Sequence, residues 1–208
     1  MVQRLDQLKE TPSQTAGPYI HIGATPNHSG ISGVYRQDLG RTMVERAAKG
    51  ERITIVGHVL DGAGEPLKDA LIEIWQADAA GLYNSPQERR GKADPNFAGF
   101  GRQPTDEKTG EYRFETIKPG PVPFVDGAPM APHITFWIIA RGVNVGLHTR
   151  MYFSDEAAAN AKCPVLSRLE HRERAKSLIA RRSEKDGKVV YRFDIRLQGE
   201  DETVFFDV

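Results

Sequence analysis

Histidine is the most versatile catalytic side chain in the sequence, and its six copies stand at positions 21, 28, 58, 133, 148 and 171. A zinc site would show as a local pattern such as HExxH or paired cysteines, and neither spacing occurs. Each histidine by itself therefore reads as a hydrogen-bonded structural residue. Two glycine clusters, GAG at 62–64 and AGFGR at 98–102, could cradle a phosphate, but neither joins a strand to a helix with the required spacing. They read as turn and loop glycines. No GxSxG nucleophile elbow is present. The single cysteine, Cys163, cannot close an intramolecular disulfide, which agrees with a reducing compartment, and it reads as a small core or surface residue.

The elements that must position any site are mostly strands. From Arg52 the apolar period is two: RITIVGHVL and ALIEIWQA are separated by the turn-rich DGAGEPLKD, and GEYRFETI, HITFWIIA, LHTRMYF, KVVYRFDIRL and ETVFFD follow. Seven short strands rich in β-branched and aromatic residues predict a sandwich. Helical periodicity predicts two interruptions, DEAAANAK behind a Ser154 N-cap and the basic EHRERAKSLIARR. Residues 1–35 carry turn formers and read as an extended arm followed by loop. In residues 36–50, Leu39, Met43 and Ala47 at four-residue steps predict one or two helical turns, ended by Gly50. Two stretches, 79–110 and 118–132, read as long loops, the kind that usually carry function. The expected architecture is thus all-β: a β-sandwich core over 51–208 with long loops and a few short helices. An N-terminal arm and short helical segment over 1–50 should pack on a partner.

Composition narrows the function classes. The 208 residues are long enough to bury a substantial core, and 39% hydrophobic with 27% charged residues is ordinary globular usage. Lys plus Arg equals Asp plus Glu at 28 each, so no net field gathers nucleic acid or an anionic membrane. No apolar run is long enough to span a bilayer, and the start MVQRLDQLKE is too polar for a signal-peptide core, which predicts a cytoplasmic protein.

Six strings remain, in the order TPSQTAGPY, EIWQADAAGLY, DPNFAGFGR, TIKPGPVPF, APHITF and MYF. Together they resemble the intradiol ring-cleaving dioxygenases over nearly the whole chain, from about Thr11 to the terminal ETVFFDV. The resemblance implies a β-sandwich with long loops around the site. In the family's catalytic chains two tyrosines and two histidines hold a ferric ion that activates a catechol toward dioxygen. Tyr83 matches the first tyrosine and His133 the first histidine. The PGPYPW loop is PGPVPF here, with Val122 and Phe124, and HIHF is HITF, with Thr135 in the second histidine's place. Met130 stands where the catalytic chains have an arginine.

Half of the ligand set is absent, so the resemblance implies no metal ligands and no catalytic residues on this chain. It implies instead a subunit that pairs with a homologous iron-binding β chain, which holds the ferric iron. The implied substrates are 3,4-dihydroxybenzoate (protocatechuate) and O2, giving 3-carboxy-cis,cis-muconate. Substrate-binding residues implied on this chain are Thr15, Gly17, Pro18 and Tyr19 of the arm, bordering the partner's pocket, and Arg141, whose guanidinium suits a carboxylate. The alternative is a non-catalytic β-sandwich scaffold or binding module.

Overall fold

The computed structural model describes residues 14–207. Strand β1 (Arg52–Leu60) organises the fold, its alternating side chains entering the core and its backbone pairing on both edges. On one edge it pairs antiparallel with β4 (Glu111–Ile117), Ile55 opposite Phe114. On the other it pairs parallel with β10 (Lys188–Arg192) and then with β11 (Ile195–Arg196). Chain order adds β2 (Leu71–Trp75), β3 (Phe100–Pro104), β7 (His133–Ile139), β8 (Leu147–Phe153) and β9 (Ile179–Lys185) to the same sheet. From β10 the path runs β9, β8, β7, β2, β3, and a separate two-stranded ladder joins β5 (Val122–Pro123) to β6 (Pro129–Met130).

The sheet folds over at a short parallel junction, where Tyr152 faces Ile179 and Phe153 faces Ala180. This brings β1, β4 and β10 over β2, β7 and β8, and their inward side chains form one core. Phe114 of one layer meets Phe136 of the other edge to face at 6.4 Å between ring centres. A second, smaller apolar cluster lies on the outer face of β7 and β8, holding Val122, Met130, Tyr152, Cys163 and Leu178. The predicted sandwich is therefore present.

Several boundaries differ from the periodicity reading, each for an identifiable reason. Residues 36–50 form turns rather than a helix. Their backbone bonds run sideways, Ala98 N–H to the Met43 carbonyl at 2.8 Å and Glu45 N–H to the Asn96 carbonyl at 2.9 Å, while Met43 buries its thioether against Gly101. The short helix of this region is instead α1 (Ile20–Ala24). EHRERAKSLIARR gives a 3₁₀ stretch, Arg172–Leu178, and then β9. The cause is the Asp186–Gly187 pair, whose positive φ values of 52° and 70° make the two-residue turn that pairs Lys185 with Lys188. The helix α2 (Ala157–Lys162) forms, but Ser154 does not cap it and accepts the Arg182 N–H at 3.0 Å instead. The 79–110 loop contains β3. ETVFFD is not a strand, although Thr203 and Phe206 N–H groups reach the Arg196 and His148 carbonyls at 2.9 and 2.8 Å.

KVVYRFDIRL is broken at Phe193–Asp194, where the Asp194 carboxylate takes the His58 N–H at 3.0 Å. The break lets the Phe193 carbonyl press onto Gly57 and accept the Tyr112 hydroxyl, a position with no room for a Cβ.

Candidate functional site

Strand β7 runs between two clusters of chemically capable residues. At its first residue, His133 is buried, its Nδ1 2.8 Å from the Ala131 carbonyl and its ring tilted over Tyr152 at 5.6 Å. Burial pushes its pKa down to about 4, and the Arg150 charge pushes the same way. Tyr83 arrives on the 79–110 loop and stacks on Trp75 at 5.9 Å. Asp78 shapes that loop: one carboxylate oxygen accepts Ala80 and Leu82 N–H at 2.9 Å, the other accepts Asp94 N–H at 2.8 Å. Its carbonyl takes Gly120 N–H at 2.9 Å, joining the two long loops, with Gly81 fitting only as glycine against Pro121.

The register places Thr135 between Trp75 and Arg150 as cross-strand neighbours. Arg150 Nη1 reaches the Met130 sulfur at 3.6 Å, and its guanidinium lies 5.5 Å over the Phe206 ring. Val122 pairs with Met130 and is buried with it. These residues do not fit a ferric ion. A cationic guanidinium stands beside Thr135, the second-tyrosine position contributes a valine, and burial raises the Tyr83 pKa, which keeps it a phenol. Among the described residues no three His, Cys, Asp or Glu side chains converge on a point where a metal could sit.

Just past the other end of β7, about 25 Å away at the rise of a strand, Arg141 donates Nε–H to the Asp69 carboxylate and is 62% exposed. The arm is tied to the same turn. Thr15 Oγ1 accepts the Gly142 N–H at 2.9 Å and donates to the Ala140 carbonyl at 3.3 Å, and Gln14 N–H bonds the Asn144 side chain at 2.7 Å. His21 Nε2 lies 2.9 Å from the Asp69 carbonyl. Tyr19 is 76% exposed, Pro18 is exposed, and nothing lies within 4 Å of where a Cβ on Gly17 would point. The structure thus gathers Thr15 and Arg141 at one turn with the Gly17–Tyr19 stretch leading from it. The first thirteen residues of the expected arm lie outside the described residues. Two residues of these clusters escaped the sequence reading. Asp69 showed only as a turn residue, and Arg150 could have been found from the alternation in LHTRMYF, which puts it on the face of His148 and Tyr152.

Comparison with known proteins agrees with the fold. The family model described as Dioxygenase matches residues 25–199. The chain is 49% identical over 203 residues to the protocatechuate 3,4-dioxygenase alpha chain of Pseudomonas putida, covering 98% of each. It is 44% identical to the alpha chain from Burkholderia cepacia, over 97% of this chain and 98% of that one. The Burkholderia cepacia beta chain is 38% identical over 74% of this chain and 67% of its own length. Among solved structures, the dioxygenase domain of a carbohydrate-binding fusion from Streptomyces sp. SirexAA-E aligns at a TM-score of 0.56 and 23% identity. That alignment covers 94% of this chain and all of the other, and it speaks for the fold alone.

An all-β sandwich with long loops around a Tyr/His position defines the class: the chain belongs to the intradiol ring-cleaving dioxygenase family. Within it, the relatives matched end to end are alpha chains of the two-chain protocatechuate enzyme.

Proposed function

We propose that this chain is the non-iron-binding α subunit of a protocatechuate 3,4-dioxygenase. It completes the active site of a homologous β chain that carries the ferric iron and cleaves 3,4-dihydroxybenzoate with O2 to 3-carboxy-cis,cis-muconate. The observation that carries this reading is the near full-length likeness to alpha chains. Its own contribution comes from the Arg141 end. Thr15, Gly17, Pro18 and Tyr19 wall the partner's pocket, and Arg141, released from or shared with Asp69, takes the substrate carboxylate. The arm over 1–50 packs on the partner, and the site of action is the cytoplasm. Among the described residues no helix is long and apolar enough to cross a membrane.

The test expresses this chain alone and together with its partner, with metal analysis and visible spectra on both samples. Iron and the phenolate-to-iron absorption band are expected only in the paired sample. Near-stoichiometric iron with that band in the lone chain would overturn the assignment.

A further inference from the structure

Beside the residues that replaced the iron ligands lies a cavity of about 490 Å³. Its apolar walls are Phe124, Val165, Leu169 and Phe206, and three arginines line it, Arg150, Arg168 and Arg174. The volume suits a small organic ligand. Two of the arginines have acidic partners: Arg168 lies 3.6 Å from Asp126, and Arg174 lies 3.2 Å from Glu202. Arg150 differs. Its Nε is buried with no partner, and its described contacts are the Met130 sulfur, the Tyr152 hydroxyl and the Phe206 ring, none of them an acid. Glu170 and Asp207 line the same cavity without forming an ion pair with it. A partly buried guanidinium held against a thioether and two aromatic rings is half of an ion pair, and leaving its Nε–H shut away from water without an acceptor is costly. Its planar fork matches a carboxylate. The His148 Nδ1, also buried and unpartnered, lies on the same face of β8, with its ring 5.8 Å from Phe206.

We infer that this cavity binds a small carboxylate with a flat apolar body, the carboxylate on Arg150 and the body between Phe124 and Phe206. The site lies at the opposite end of β7 from Arg141 and does not depend on how that end is used, so its failure leaves the α-subunit reading standing. Benzoate is the probe, and the protein is the full chain with its partner. Equilibrium dialysis should find one equivalent of benzoate more in the unmodified complex than in Arg150→Gln, with binding at that site weakened by about tenfold or more. Iron content and kcat should be the same in both. Arg150→Lys, which keeps the charge but not the fork, should fall between them. Should Arg150→Gln fail to assemble, crystals of the unmodified complex soaked in 4-bromobenzoate should show a bromine peak in the cavity. Equal stoichiometry in the unmodified and Arg150→Gln complexes, or an empty cavity in those crystals, would overturn the site. Displacement of benzoate by inorganic phosphate at equal concentration would overturn the role given to the two aromatic walls.

Discussion

The two ends of β7 carry the same kind of material, rings and charges on a rigid strand, put to opposite uses. At the His133 end the groups at and beside the positions matched to the family's ligands are turned inward: His133 is neutral and bonded to its own chain, Tyr83 is stacked on Trp75, and Val122 and Met130 fill space. At the Arg141 end the groups are exposed and held from behind by Asp69 and Thr15. The positions matched to the family's iron ligands thus sit in a packed structural cluster, whereas the Arg141 end keeps its polar groups outward and pre-positioned.

That contrast can be broken most severely in acid. His133 has a folded-state pKa of about 4 against an ordinary 6.5, so the unfolded chain takes up the proton first as pH falls. Stability from the neutral imidazole is complete above about 6.5 and is lost between there and 4, by up to about 3 kcal/mol. Urea unfolding across that window should show the loss, and His133→Phe should flatten it. An unchanged acid slope in the variant would mean that His133 is not sealed as described.

At the other end, Arg141→Ala should raise KM for protocatechuate about ten- to a hundredfold, the loss of a charge-assisted bond of roughly 1.5 to 3 kcal/mol, with iron content preserved. An unchanged KM in an intact complex would remove Arg141 from the site. Thr15→Val cuts the tie between the arm and the Gly142 amide and should cost about 1 kcal/mol, a roughly fivefold fall in kcat/KM. Fold and iron should stay constant. The smallest effect sharpens the comparison from the passive side: Thr135→Ser should leave kcat/KM within about twofold. A large fall there would show that the ligand-replacement end still takes part in turnover.

The strands that alternate most cleanly, β1, β4 and β7, were legible because alternate side chains of each enter the main core. β3 was not, because Phe100–Pro104 has no β-branched residue and exists as a strand through its pairing with Leu71–Trp75. β9 read as helix because its charges point to solvent on either period, although the Asp186–Gly187 signal for a hairpin was present in the sequence. For the candidate site, the strings around Tyr83, Val122 and His133 were enough to mark the positions matched to the family's iron ligands. The face that Arg150 shares with His148 and Tyr152 was readable from LHTRMYF, but its meaning, like that of Asp69, depends on which strand lies opposite and which turn folds back.

The break at Phe193–Asp194 also bears on how the molecule is made. The His58 amide finds its partner across 136 residues of chain, and β10 and β11 must slide in parallel beside β1 after β2 to β9 have been synthesised. Pairing so distant is slow to nucleate. Until the last strands arrive, one edge of β1 stays unpaired, a sticky template for other chains. A chain built this way can present its finished surface only after β10 and β11 have paired with β1, so the supply of folded chain depends on its folding rate as well as on its expression.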